Sequence, residues 1–93
     1  MTIDQLTAAT NALDKMAPGA FDCFMATVYQ FAACNGFAID ESNPDDPALN
    51  AICTAWGIAK PTLPGPFDPM PPRGWIDWLW EQIRDLPILI VGP

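Results

Sequence analysis

FDCFMATVYQFAACNG, residues 21–36, is the stretch on which the reading of the fold turns. Phe21, Phe24, Met25, Val28, Phe31 and Ala32 recur at helical spacing and form one apolar stripe. The opposite face carries Cys23, Ala26, Thr27, Gln30, Ala33 and Cys34, all small or weakly polar. Such a face allows a second element to approach closely. The expectation is a helix buried on both sides, at the centre of the domain. Asn35-Gly36 supplies a left-handed stop at its end.

Working outward, Thr2-Ile3-Asp4-Gln5 reads as a capping box, and apolar spacing continues through Leu6, Leu13 and Met16. This predicts a first helix over about residues 3–16, ended by Pro18-Gly19. Downstream, residues 40–47 form an acidic turn, in which Asp46 caps a third helix and Pro47 takes its first position. Ala48, Leu49, Ile52, Cys53 and Trp56 give that helix a core stripe, and Gly57 ends it. Six prolines between residues 61 and 72 exclude regular structure and predict a stiff crossing loop. Leu63, Phe67 and Met70 are its candidate anchors. A fourth helix is expected over about 74–86, with Ile76, Leu79, Trp80 and Ile83 facing inward. Ile88-Leu89-Ile90-Val91 reads as a short buried strand or core-filling tail. The fold class expected is mainly α: one compact four-helix domain over residues 1–93, a proline-rich crossing loop and a short C-terminal strand or tail.

Composition narrows the function. Hydrophobic residues make up 51% of the 93 residues and charged residues only 16%, so some apolar surface should remain for a partner or a homodimer contact. The net charge of −7 disfavours nucleic acid and anionic membranes and suits a basic protein partner. No secretory leader, lipidation motif or membrane span is read, and three cysteines are an odd number. Reduced thiols in the cytoplasm are the expectation.

Sites are few. Cys23, Cys34 and Cys53 contain no Cys-x-x-Cys pair, and the chain has no His, so neither a closed metal site nor a serine–histidine triad is expected. Cys23 and Cys34 lie about 16 Å apart by helix rise and do not bridge one another. Three buried thiols acting as small hydrophobes is the plain expectation. Asp40, Glu41, Asp45 and Asp46 do not fit a calcium loop, since its sixth position is Asp45 and its twelfth is Ala51. They read as a solvated loop with a helix cap, and as carboxylates that can face a partner's Arg or Lys. Trp75, Trp78 and Trp80 point about 300° and 200° apart around one helix. At least one should therefore lie at a rim or under the proline-rich loop. Trp75 and Trp78 are the candidate partner-binding pair.

Asp22 as a helix cap would place Cys23 at the first helical position, where backbone amides favour a thiolate. The order Asp22-Cys23-Phe24-Met25-Ala26-Thr27-Val28-Tyr29, then Gly36, a later helix and Pro87-Ile88-Leu89-Ile90-Val91-Gly92, resembles the N-terminal half of papain-like cysteine peptidases. The resemblance implies Cys23 as nucleophile. With no His to act as base, it implies an inactive remnant or one half of a split site. The leading expectation is a non-enzymatic protein-binding module without cofactor. A small acidic inhibitor or adaptor engaging a larger basic protein, such as a mobile-element protein blocking a host system, is one form of it. A structural subunit of an assembly is the other alternative.

Overall fold

A computed structural model describes residues 1–60 and 65–84. Four helices follow in order: α1 (Ile3–Ala12), α2 (Ala20–Cys34), α3 (Pro47–Trp56) and α4 (Gly74–Arg84), with a 3-10 turn at Gly65–Phe67 before α4. The described residues contain no strand. The expected mainly α architecture is therefore observed. The apolar run 88–91 and Leu63 lie outside the described residues.

The capping box forms as read: Thr2 Oγ1 accepts from the Gln5 amide at 3.2 Å and Gln5 Oε1 accepts from the Thr2 amide at 2.7 Å. The first helix is shorter than expected, ending at Ala12 rather than near residue 16. Leu13 turns extended, and the Asp14 carboxylate accepts from the Met16 amide at 3.1 Å. This local side-chain bond competes with the helical ladder. Met16 is consequently 86% exposed instead of lying on the core stripe.

The centre of the domain also differs from expectation. Helix α2 buries Phe24, Val28, Phe31 and Ala32, but Cys23, Ala26, Gln30, Ala33 and Cys34 face outward and are exposed. Nothing among the described residues covers that small-residue face. The thiols differ accordingly: only Cys53 is buried, and all three are free. Burial pushes the Cys53 thiol pKa up, against a smaller opposing effect of Lys60.

Helix α4, rather than α2, is the helix buried on more than one side. It buries Trp75, Ile76, Trp78, Leu79, Trp80 and Ile83. Trp80 packs on Phe24 with ring centroids 5.1 Å apart and edge-on to Phe21 at 6.0 Å. Trp78 meets Phe67 of the proline-rich segment at 6.2 Å. The covering of a tryptophan by that segment is thus observed, with Phe67 as its anchor. Large aromatic rings spread around a short helix need cover from several directions, and here it comes from α2, Phe67 and the acidic loop. Helices α1 and α3 are joined by a buried bond, Trp56 Nε1 donating to Thr7 Oγ1 at 2.7 Å.

Asp46 organises the remaining contacts. Its carboxylate is 1% exposed and accepts from the Ala48 amide at 2.8 Å, the Asp40 amide at 2.7 Å and Trp75 Nε1 at 3.3 Å. One side chain thereby caps α3, closes the acidic loop and holds α4. Beside it, Gly74 enters α4 with φ +55°, and a Cβ there would lie 1.8 Å from the Glu41 carbonyl oxygen. Only glycine allows this approach, which lets the Trp75 amide donate to that same oxygen at 2.9 Å.

Removing the Asp46 carboxylate strands the Asp40 and Ala48 amides and leaves Trp75 Nε1 with its Asp40 carbonyl alone, so Asp46→Ala is expected to lower stability by about 3 kcal/mol. Gly74→Ala adds left-handed strain to loss of the Glu41 contact, for a similar cost of about 3 kcal/mol. Asp45→Ala, at an exposed ion pair, should cost less than about 1 kcal/mol. Urea unfolding checks the order, and equal midpoints for all three variants would contradict it.

Candidate functional site

The loop that Asp46 holds forms one wall of an open cleft of about 400 Å³. Ile39, Asp40, Glu41 and Ser42 line that wall, Tyr29 of α2 closes one end, and Met70, Pro71, Pro72 and Gly74 form the other wall. Each wall has a local reason for its shape. Asp40 Oδ1 accepts from the Ser42 amide at 3.1 Å and from its hydroxyl at 2.7 Å, turning the loop. On the opposite wall, the Gly74 amide donates to the Pro71 carbonyl at 2.9 Å, and the Arg73 amide donates to Asp77 Oδ2 at 2.8 Å. The proline pair thus leads straight into the first turn of α4.

A polar chain spans the cleft's end. The Tyr29 hydroxyl donates to Glu41 Oε2, and Arg73 Nη2 donates to the same oxygen at 2.9 Å. Tyr29 is 38% exposed and Met70 39% exposed. Apart from Met16, they are the large hydrophobic side chains left exposed among the described residues. The Tyr29 pKa is pushed up to about 12, by partial burial first and then by the hydrogen bond and negative charge of Glu41, with Arg73 opposing.

The four acidic candidates separate. Asp40 and Glu41 line the cleft. Asp45 points outward and pairs with Lys60 at 3.0 Å. Asp46 is buried beneath the loop as a structural acceptor. The tryptophan pair is placed away from the surface: Trp75 is fully enclosed, with Nε1 donating to the Asp40 carbonyl at 3.0 Å, and Trp78 lies under Phe67. As folded, neither presents the docking surface expected of it. Trp75 instead holds the cleft residue Asp40 by its carbonyl.

Cys23 lies elsewhere, exposed on α2. Gly19, not Asp22, caps that helix. Cys23 is therefore the fourth helical residue, and its amide is already bonded to the Gly19 carbonyl at 3.1 Å. The free-amide environment expected from an Asp22 cap is not present. The segment 87–92 of the peptidase resemblance lies outside the described residues. Among the described residues no cluster of three or more metal-ligating side chains occurs, and no helix is long and apolar enough to cross a membrane.

Tyr29, Arg73 and the exposed position of Met70 were not legible as site residues. Tyr29 sits one position off the α2 stripe, and Arg73 lies 32 residues from the Glu41 it meets. The available signal was that Tyr29 is the single tyrosine of the chain, flanking the apolar stripe with its hydroxyl unassigned. No protein-family model, curated protein or solved structure matches the chain.

The single tyrosine makes the chain's end-of-cleft network directly readable. A phenol whose folded pKa is raised above 10.0 stabilises the fold fully below pH 10 and loses that contribution as pH climbs from 10 toward 12. Phenolate absorbance should therefore appear near pH 12 in the folded protein. Glu41→Gln should move the midpoint back toward 10. An unmoved midpoint would show that Glu41 does not act on Tyr29.

Proposed function

We propose that this chain is a non-enzymatic protein-binding module whose partner docks over the Tyr29–Met70 cleft. One observation carries the reading: two large hydrophobic side chains left exposed by the fold stand at the same open cleft, beside two carboxylates. An apolar contact ringed by polar groups is the usual anatomy of a protein interface. The tryptophans expected to serve this purpose are used in the core, so the docking role passes to Tyr29 and Met70. With a net charge of −7, the chain suits a basic partner, in keeping with a small acidic inhibitor or adaptor that engages a larger protein.

The test places a photoreactive amino acid at position 70 and, separately, at exposed position 11 on α1, in the cells that naturally make the protein. A single partner should crosslink from position 70 and not from position 11. Met70→Asp should reduce its recovery about tenfold while leaving the helical signal intact. Equal crosslinking from both positions would remove the cleft as the docking site. An adduct of twice the chain mass would identify a second copy as the occupant and favour the structural-subunit reading.

A further inference from the structure

We infer that the cleft receives a cationic side chain of the partner, arginine in its extended form, with the stem along Met70 and Pro71 and the guanidinium at Asp40 and Glu41. The inference rests on the protein-binding reading above and names the group that is recognised. Three observations support it. First, the lining combines apolar residues, Ile39, Met70, Pro71 and Pro72, with two acidic ones, Asp40 and Glu41. An arginine has the same division, an apolar stem and a charged planar head. Second, the carboxylates keep accepting capacity. Both bonds into the Glu41 side chain, from Tyr29 and Arg73, use Oε2, and both bonds into the Asp40 side chain use Oδ1. Among the described residues no donor is bonded to Glu41 Oε1 or Asp40 Oδ2. A guanidinium offers several donors in a fixed plane and can meet both oxygens at once. Third, the charges favour a cation. Two acidic residues line the cleft, while Arg73, bonded to Glu41, is the one positive group in its network among the described residues, in a chain of net charge −7. Tyr29, also among the lining residues, is an aromatic group with which a guanidinium can interact.

The probe is a capped Gly-Ser-Arg-Ser-Gly peptide, titrated into the full chain labelled with nitrogen-15 and followed by NMR. Its twin carries citrulline, which keeps the shape of arginine and removes the charge. The arginine peptide should shift the amides of Tyr29, Glu41, Ser42 and Met70. The citrulline peptide should bind about tenfold more weakly, the loss of roughly one charge-assisted contact. Asp40→Asn, which retains an acceptor for Ser42 and so spares the loop, should weaken the arginine peptide by about the same factor. Equal binding of both peptides at the cleft would overturn the inference and leave the docking reading standing. No cleft shift with the arginine peptide, while position 70 still crosslinks a partner, would do the same. Silence in both experiments would remove the inference and the docking reading together.

Discussion

A carboxylate buried to 1% exposure, Asp46, is the point on which the functional face depends. Burying such a group is costly unless its oxygens are met by donors. Here three donors meet them, and they come from three separated parts of the chain: the acidic loop, the first turn of α3 and the first turn of α4. The cost of desolvation becomes a condition on geometry. The carboxylate is tolerated only while all three parts stay in place. The main-chain contact of Trp75 with Glu41, made possible by Gly74, fixes the same junction from its other side.

The cleft is a consequence of that junction. Glu41 contributes its backbone carbonyl to α4 and its side chain to the cleft. Asp40 likewise gives its amide to Asp46 and its carbonyl to Trp75, leaving its carboxylate at the cleft wall. Backbone atoms of both residues are thus held by the core, and both residues line the cleft. A recognition surface built this way has a preformed shape, so less ordering entropy is lost when a partner binds. The outward face of α2, with its small exposed residues, has no comparable framework.

Much of the fold was legible from local signals. Capping at Thr2 and Asp46, the stripes of α2 and α3 and the stop at Gly57 depend on residues within a few positions of one another, and each is observed. What was not legible depends on long-range encounters. Nothing in the spacing of Trp75, Trp78 and Trp80 shows that cover arrives from Asp40, Phe67 and Phe24 respectively. For that reason the sequence alone offers Trp75 and Trp78 as a partner-binding pair and α2 as the centre. The acidic run posed the same difficulty: four carboxylates in seven residues look alike in sequence, yet one is a buried strut, two line a cleft and one is a surface ion pair. Tyr29 became a site residue only when Glu41 and Arg73 were folded against it.

The most direct measurement of the Asp46 junction is native-state hydrogen exchange at the amides of Asp40, Ala48 and Trp75, compared with the core amide of Val28. If the buried carboxylate ties the loop and two helices into one unit, all three amides exchange only when the whole domain opens. Their rates, corrected for local sequence, then fall within about tenfold of the Val28 rate, about 1.4 kcal/mol in opening free energy. Exchange at Asp40 and Trp75 faster than Val28 by orders of magnitude would show a loop that opens on its own, and would contradict the account of a preformed cleft.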